Sequence, residues 1–299
     1  FYFYTNHLNL FFHSSIKFHL EKNIKKKMYY KLMIKYIVIS GGDISLFSIL
    51  GTIKELKKNH KYNIDNVEEI YSVSAGSWIG LFLCLKINFN TIINYFIERP
   101  WNKLITFDTN DLLDLYSNIG IFNIDILYKL FEPLFKLCNL NINITLKELY
   151  EYSNIKLNIY STKYRDLSFC RFNYETEPDL KVIDAIYMSS TIPILFKPLI
   201  YNGNYYIDGG YNCNYPINFC LEEHKNNFEI LGILVKNYED ISEISENENI
   251  LSFYGKVFLK LIINRRHKNE KNDTSYKKII IFTDYLTPNN LFNILNDKE

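Results

Sequence analysis

The chain has 299 residues, and its 47% hydrophobic and 16% aromatic content is enough for the core of one large α/β domain, which excludes disorder of the whole chain. Its 34 basic and 33 acidic side chains leave a net charge of +1, which argues against nucleic-acid binding, because such binding needs a clustered basic excess. No uninterrupted apolar run reaches the roughly 18 residues of a membrane-spanning helix, so such a helix is not expected.

Residues 1–33 carry many aromatic, Asn, Lys and Ile side chains without a steady helical or strand period. We interpret this stretch as a dispensable N-terminal extension, in which Met28 or Met33 is the natural start. The alternative is a targeting or membrane-surface segment, because apolar aromatic residues precede a basic run at 25–27. The rest of the chain, residues 34–299, is predicted to form one domain.

Two strand–turn–helix units follow each other at the start of this domain. Residues 34–39 are a short apolar, β-branched strand that ends in a glycine turn at 40–42, and apolar residues then recur at helical spacing over 46–56. A second strand at 69–73 ends in the turn 74–76 and continues into an apolar helix. Two such units in succession predict a parallel sheet with helices on its faces.

A long stretch from residue 89 to residue 140 is predicted to be helical. Its second half carries an apolar stripe at the spacing of one helix face: Leu127, Leu130, Phe131, Leu134 and Phe135. Pro133 lies within this stripe, and we expect it to bend or stop the helix. Thr145 and Glu148 then have the spacing of a capping box for a further helix that ends near Ser153.

Shorter strands and helices alternate over the remaining residues. They are predicted, in chain order, as strands at 156–160 and 167–172, a helix at 180–189, a hairpin with its tip at 202–204, a strand at 228–235, a surface loop at 239–249, a helix at 250–263 and a strand at 278–282. This order indicates an α/β fold with a mostly parallel central sheet between layers of helices.

Ser74 lies where the second strand becomes a helix, within the sequence SVSAG at 72–76. A serine on such a turn projects its hydroxyl above the sheet edge, close to the positive end of the helix. The small residues around it allow the strand and the helix to approach closely. The alternative is that Ser74 only caps the helix, since S-x-S-x-G differs by one residue from the commoner G-x-S-x-G turn.

Asp208 is the candidate base for a serine nucleophile. It ends an apolar strand and precedes Gly209 and Gly210, where the backbone can turn sharply and leave the carboxylate uncrowded. A carboxylate within hydrogen-bond reach takes the serine proton directly. The alternative is that Asp208 only caps an ordinary Asp-Gly turn.

The histidines offer a weaker base. The sequence has six of them, His7, His13, His19, His60, His224 and His267, and none follows an apolar strand beside a glycine turn. A Ser-His-Asp triad therefore has weak support. An α/β-hydrolase in which His224 or His267 completes the triad stays open as an alternative.

The first glycine turn reads Ser40-Gly41-Gly42-Asp43. Such turns often bind phosphate, but neither G-x-G-x-x-G nor a Walker sequence is present. Backbone N–H groups at a helix start can equally hold a developing oxyanion.

The cysteines, five in number, are scattered and show no spacing typical of metal ligands. An odd, unpatterned set suits a reducing compartment better than a disulfide scaffold. We therefore expect a cytoplasmic protein, with peripheral attachment to membranes left open. No metal or other cofactor is predicted, and calcium dependence is not indicated, because the sequence contains no oxygen-ligand loop of the EF-hand type.

Taken in order, these elements resemble the patatin-like phospholipase family. The resemblance is clearest over residues 34–235 and rests on these segments: Gly41-Gly42 with Gly51, Ser74-Ala75-Gly76, Asp208-Gly209-Gly210, and the connecting stretches 145–149, 176–179 and 189–193. It implies a three-layer α/β/α fold. It also implies a lipid acyl hydrolase that works at a membrane or lipid-droplet surface without a cofactor.

Carried over residue by residue, the resemblance implies that Ser74 is the nucleophile and Asp208 the base. The oxyanion donors fall on the backbone around Gly41, Gly42 and Asp43. The sequence departs from the family at Asp43, where a third glycine is usual. Asp43 retains its backbone N–H and tolerates positive φ, but a carboxylate turned toward the oxyanion would repel it. We expect this side chain to turn outward.

Two further questions stay open at this stage. The first is whether the protein is an enzyme at all. A catalytically silent protein of the same fold, which binds lipid or a partner, is an alternative to the lipid acyl hydrolase, as is the histidine-dependent enzyme. The second concerns the apolar segment 121–137. In one interpretation, the apolar stripe of this segment packs on the sheet. In the other, part of the segment, with Phe131 and Phe135, walls the acyl site and enters the lipid surface.

Overall fold

The computed structural model describes residues 32–42, 45–58, 62–101, 119–237, 253–254, 256–257, 260 and 275–283. The predictions for the extension at 1–33 lie outside these residues except at Leu32 and Met33. Those two form strand β1 (Leu32–Met33), which pairs in parallel with β3 (Tyr62–Asn63).

Eight strands form the central sheet. Its members are β2 (Tyr36–Ile39), β4 (Glu69–Val73), β6 (Lys156–Lys163), β7 (Phe169–Phe172), β9 (Ile200–Tyr201), β10 (Asn204–Asp208), β11 (Ile230–Asn237) and β12 (Lys277–Thr283). The order β12-β11-β2-β4-β6 is parallel throughout, while β7 and β10 pair with β6 in the antiparallel direction. β9 continues the sheet beyond β10. The predicted sheet, mostly parallel, is confirmed.

Helices cover both faces of this sheet. They are α1 (Leu46–Lys58), α2 (Ala75–Cys84), α3 (Phe89–Glu98), α4 (Asp125–Leu137), α5 (Leu146–Ser153), α6 (Val182–Ser190) and α7 (Ile217–Glu223). Side chains alternate along β2, so Ile37 and Ile39 join the larger apolar core with α1 to α6, whereas Val38 joins a smaller core with α7. The fold is therefore a three-layer α/β/α arrangement, as predicted.

The stretch 89–140, predicted to be helical throughout, contains a strand. After α3, strand β5 (Gly120–Phe122) pairs in parallel with β8 (Ile194–Phe196), so the helical prediction was wrong there. A Cβ on Gly120 would lie 2.5 Å from the carbonyl carbon of Phe196, so only glycine permits this approach. The glycine was the available signal, but a three-residue strand is too short to show a period.

Pro133 does not stop α4, because the backbone group that it leaves free has another partner. Proline lacks the N–H that would donate to the carbonyl of Lys129 one turn earlier. The Arg99 guanidinium donates to that carbonyl instead, at 2.7 Å. The helix therefore runs on to Leu137.

The apolar stripe of α4 is part of the core. Every member of the predicted stripe is buried, and Phe131 and Phe135 are fully so. The Phe131 ring packs edge-on against Trp78 at 5.0 Å between centroids. The interpretation that these phenylalanines enter a lipid surface was wrong.

Most other elements predicted within the described residues are confirmed with small shifts at their ends, whereas the loop at 239–249 and most of the helix at 250–263 lie outside those residues. The capping box before α5 is formed, with Thr145 Oγ1 accepting from the Glu148 N–H at 3.2 Å and Glu148 Oε2 accepting from the Thr145 N–H at 2.7 Å. The strand predicted from residue 228 begins at Ile230, since Phe228 is 73% exposed in a short turn before it. No helix in the described ranges is long and apolar enough to cross a membrane.

Candidate active site

Strand β6 brings the two predicted catalytic residues together although they are far apart in sequence. Val73 at the end of β4 pairs with Tyr160, and Asp208 at the end of β10 pairs with the next residue, Ser161. β4 runs parallel to β6 and β10 runs antiparallel to it, and their register places the ends of both strands beside neighbouring residues of β6. Ser74, directly after β4, therefore meets Asp208 at the carboxyl edge of the parallel strands.

The Ser74 backbone adopts a strained conformation in the turn between β4 and α2. Its φ of 51° and ψ of −125° lie in a region of backbone conformation that residues other than glycine rarely adopt. The following helix approaches the sheet closely, since a Cβ on Gly76 would lie 2.6 Å from the Ser40 carbonyl oxygen. The Ser74 side chain makes no capping hydrogen bond to α2. The alternative that Ser74 serves only as a cap was therefore wrong.

The Ser74 hydroxyl donates to the Asp208 carboxylate instead, at 2.5 Å between Oγ and Oδ2. The other carboxylate oxygen, Oδ1, accepts from the Gly210 N–H at 2.6 Å. Asp208 thus does cap its glycine turn, but that bond uses one oxygen and leaves the second directed at the serine. Ser74 is only 5% exposed and Asp208 only 3%, so the pair lies in a largely desolvated setting.

Ser189, on α6, holds the strained turn from behind. Its hydroxyl oxygen accepts from the Ser74 N–H at 2.8 Å and its proton goes to the Tyr160 carbonyl at 2.6 Å. A third contact joins Ser189 Oγ to Ser77 Oγ at 3.2 Å. The segment containing Ser189 was part of the sequence resemblance, but no pattern indicated that its side chain reaches the Ser74 backbone.

We expect Ser189→Ala to reduce both stability and ester hydrolysis, because it leaves the buried Ser74 N–H without its acceptor. An unsatisfied buried donor costs about 1–3 kcal/mol of unfolding free energy. Thermal unfolding and turnover of a short-chain ester would measure the two effects. Ser190→Ala is the matched control, since Ser190 accepts from Trp78 Nε1 at 3.0 Å and has no recorded bond to Ser74. Equal loss of turnover in both variants would contradict a specific role for Ser189.

The first glycine turn lies against the serine, but its two glycines differ in what their N–H groups do. A Cβ on Gly41 would lie 3.3 Å from the Ser74 Cβ. The Gly41 N–H donates to the Asn214 carbonyl at 3.0 Å, and the Asn214 side-chain amide donates back to the Gly41 carbonyl at 3.3 Å. Within the described part of the chain, the Gly42 N–H donates no hydrogen bond. Asp43 lies outside the described residues.

His224 is far from the serine and cannot complete a triad with it. Its Nε2 contacts Glu69 Oε2 at 2.9 Å, and its ring stacks on Tyr36 at 3.6 Å between centroids. Glu69 and Tyr36 pair at the amino end of the parallel strands. Five residues of β-strand separate Glu69 from Ser74, which is roughly 16 Å. The triad with His224 is therefore wrong, and His267 lies outside the described residues.

The same edge holds the one group in the described ranges that offers metal-ligand atoms close together. Atoms of Glu69, Glu223 and His224 lie within 4.8 Å of one another. Both carboxylates already have cationic partners, since Lys156 Nζ lies 3.4 Å from Glu69 and Arg171 pairs with Glu223. These ion pairs neutralise the charge that would attract a cation, so we interpret the group as a structural network.

Hydrogen bonds of this network also shift the ionisation of its members. Burial raises the pKa of the Glu223 carboxyl, but hydrogen bonds from Tyr71 and Arg171 outweigh burial and hold it below its usual range. Burial, followed by the bond to Glu223, raises the pKa of the Tyr71 phenol, which therefore stays protonated and donates. This chemistry ties α7 to the sheet and takes no part at the Ser74 edge.

The sequence is similar to proteins of one known family. A family model described as patatin-like phospholipase matches residues 37–221. Over 201 residues the chain is 30% identical to "Probable lipid hydrolase 463L" of Invertebrate iridescent virus 6, a match that covers 67% of this chain and 66% of that protein. It is 26% identical over 198 residues to "Uncharacterized protein R571" of Acanthamoeba polyphaga mimivirus, covering 66% of this chain and 65% of that one. The chain thus spans slightly less than two thirds of each relative.

A solved structure extends the similarity to the fold. VipD from Legionella pneumophila superposes with a TM-score of 0.52, covering 91% of this chain and 68% of VipD, at 16% sequence identity. At that identity the likeness concerns the fold alone. The family model covers more than half of the sequence, and the glycine turn, the serine turn and the aspartate turn meet at one sheet edge. The chain belongs to the patatin-like phospholipase family.

Proposed function

We propose that this chain is a lipid acyl hydrolase of the phospholipase A type, which cleaves fatty acyl esters through an acyl-serine intermediate. The observation that carries the proposal is the 2.5 Å hydrogen bond from the Ser74 hydroxyl to Asp208, made by a serine in a strained backbone conformation. Strain of this kind is retained where surrounding structure enforces it, and it concentrates at functional sites. The viral relative named as a probable lipid hydrolase supports the same substrate class.

In the proposed reaction, Asp208 accepts the proton of Ser74 as Oγ attacks the ester carbonyl carbon. Collapse of the tetrahedral intermediate releases the alcohol, which takes the proton from Asp208 as it leaves. Water then attacks the acyl-serine, Asp208 accepts its proton, and that proton returns to Ser74 as the fatty acid departs. No metal or other cofactor enters these steps.

The developing oxyanion needs N–H donors close to the serine. Gly42 is the better candidate of the two described glycines, because its N–H donates no bond within the described part of the chain. Gly41 would first have to release the Asn214 carbonyl. The positive end of α2 adds a favourable field beneath Ser74. Asp43 keeps its predicted place as a third donor.

A fluorophosphonate probe tests the nucleophile directly. We expect mass mapping to find the probe on Ser74, because the hydrogen bond to Asp208 makes the Ser74 hydroxyl more nucleophilic than an ordinary serine hydroxyl. Ser74→Ala should not be labelled, whereas Ser72→Ala should be labelled as fast as the unmodified protein. Ser72 is buried two residues earlier, where its hydroxyl donates to the Asn158 carbonyl and not to a carboxylate. Labelling of another serine at the same rate would contradict the assignment.

The catalytically silent alternative is favoured by one observation, the occupied N–H of Gly41. A protein that binds lipid without cleaving it would take up no probe and hydrolyse no short-chain ester. Losing one oxyanion donor costs about 3–4 kcal/mol of transition-state stabilisation, which lowers the rate without removing the nucleophile. Slow but measurable labelling of Ser74 therefore separates a weak hydrolase from a silent binder.

A further inference from the structure

Four exposed apolar side chains lie in a turn and a hairpin beside the sheet edge that carries Ser74. Tyr164 and Leu167, in the turn between β6 and β7, are 64% and 43% exposed, and Ile200 and Tyr205, in the β9–β10 hairpin, are 56% and 42% exposed. The Tyr164 N–H donates to the Tyr205 carbonyl at 2.9 Å, and Tyr205 pairs directly with Ile200. These residues (Tyr164, Leu167, Ile200 and Tyr205) are called the exposed tip.

The turn of the exposed tip is closed by hydrogen bonds and contains one residue in a strained conformation. Leu167 has a φ of 54°, which is unfavourable for a bulky side chain. Its carbonyl accepts from the side-chain amide of Asn212, which lies four residues after Asp208. A second bond closes the turn, from the Lys163 N–H to the Ser168 carbonyl at 2.9 Å. The turn is thus fixed to the segment that carries the proposed base.

The position of the exposed tip relative to the reacting groups follows from the strand register. Tyr160 lies level with Val73, which precedes Ser74, and β6 runs on for three residues before Tyr164. At about 3.3 Å per residue, the tip stands roughly 10 Å beyond the level of Ser74. Segments that lie at a membrane interface bury their apolar face to a similar depth, about 5–10 Å.

The chemistry of the exposed tip matches a phospholipid surface. Tyrosine, with an apolar ring and a polar hydroxyl, is enriched at the boundary between headgroups and acyl chains. Lys163 and Arg165 flank Tyr164, and neither forms an ion pair among the described residues. The carboxylate of Asp166, the acidic residue of this turn, already accepts the Ser168 N–H at 3.0 Å. Lys163 and Arg165 carry two positive charges against the single negative charge of Asp166, so the turn presents a net charge of +1 to anionic headgroups.

We propose that the exposed tip docks this protein on an anionic phospholipid membrane, with Tyr164 and Leu167 at the headgroup boundary and the Ser74–Asp208 edge facing the lipid. The inference rests on the proposed function, because docking at this edge is useful to an enzyme that must take its ester from the membrane. It replaces the interpretation that α4 provides the lipid contact.

Co-flotation of the full chain with vesicles tests the docking surface apart from catalysis. All proteins carry Ser74→Ala, so that the lipid is not consumed, and the vesicles contain phosphatidylcholine and phosphatidylserine in equal parts. The tip variant combines Tyr164→Ser with Leu167→Asn, since asparagine tolerates positive φ. We expect the tip variant to bind the vesicles at least about tenfold more weakly than the parent does.

Phe228→Ser is the matched control, because Phe228 is 73% exposed at the opposite edge of the sheet, next to the start of β11. It should bind as the parent does. Lys163→Gln with Arg165→Gln should remove the salt-sensitive part of the binding and leave binding to pure phosphatidylcholine unchanged. A parent that does not float, a tip variant that floats equally well, or an equal loss in Phe228→Ser would overturn the proposal.

Hydrolysis of a water-soluble short-chain ester separates this inference from the proposed function. With Ser74 intact, the tip variant should hydrolyse that ester at the unmodified rate and keep its melting temperature, because the exposed tip contacts neither reacting group. A protein that floats through the tip but hydrolyses no ester would support docking and overturn the hydrolase. A tip variant that loses hydrolysis of both soluble and vesicle-bound esters would overturn docking as its specific role.

Discussion

Replacing Ser74 with alanine should lower ester hydrolysis by at least about 10,000-fold, because it removes the proposed nucleophile, whose hydroxyl donates to Asp208 at 2.5 Å. The loss of a hydrogen bond to a buried carboxylate should cost about 1–3 kcal/mol of unfolding free energy. Turnover of a short-chain chromogenic ester and thermal unfolding measure the two quantities. Retained hydrolysis in Ser74→Ala would exclude Ser74 as the nucleophile.

Comparison with Ser74→Gly isolates the backbone strain at the same position. Both variants lose the hydroxyl, but only glycine adopts a φ of 51° without a steric penalty. Ser74→Gly should therefore be more stable than Ser74→Ala by about 1 kcal/mol. Ser72→Ala serves as the control for removing a buried serine hydroxyl two residues earlier, on β4, and it should keep its activity. If glycine gave no advantage over alanine, the turn would not be strained.

The local elements were predictable because their signals are local. The strand at 69–73 (EIYSV) contains β-branched and aromatic residues and precedes a turn of small residues, and its bounds match β4. The stripe of α4 and the capping box before α5 follow from spacings of three and four residues, which the helix brings onto one face. Such patterns need no knowledge of the rest of the fold.

Features that depend on contacts distant in sequence were not predictable. Continuation of α4 through Pro133 depends on the Arg99 side chain, which reaches a carbonyl on another helix. His224 sits in a polar stretch that reads as a loop, but its ring is held between Tyr36 and Glu69 at the far edge of the sheet. Neither partner can be identified from the spacing of residues along the chain.

The candidate site lies between these two cases. Ser74 and Asp208 were singled out because each follows an apolar strand and precedes small residues, which is a local pattern. Their meeting depends on β6, where Tyr160 and Ser161 pair with the ends of two different strands. The roles of Ser189 and Asn214 went unnoticed, because serine and asparagine in turns and helix ends are common and their side chains act here on distant backbone groups.

Asp208→Asn should lower turnover by about 100-fold to 10,000-fold while the fold is retained, since this is the usual contribution of a general base. The amide oxygen can still accept from the Gly210 N–H, so the turn keeps its geometry. The amide nitrogen would then face Ser74 Oγ, where it donates a hydrogen bond and cannot take a proton. Turnover of the short-chain ester and the rate of fluorophosphonate labelling should fall together.

Two variants decide whether such a loss is specific to Asp208. Asp184→Asn makes the same chemical change on α6, away from the serine. The Asp184 carboxylate accepts a hydrogen bond from the Tyr128 hydroxyl at 2.7 Å, and the variant should keep its activity. His224→Ala should also keep most of its activity, because the imidazole belongs to the Glu69 network at the opposite edge, although the melting temperature should fall as that network loses a member. If His224→Ala abolished turnover without unfolding the protein, the catalytic base would have to be sought away from Asp208. If Asp208→Asn alone does so, Asp208 and not His224 is the base that activates Ser74.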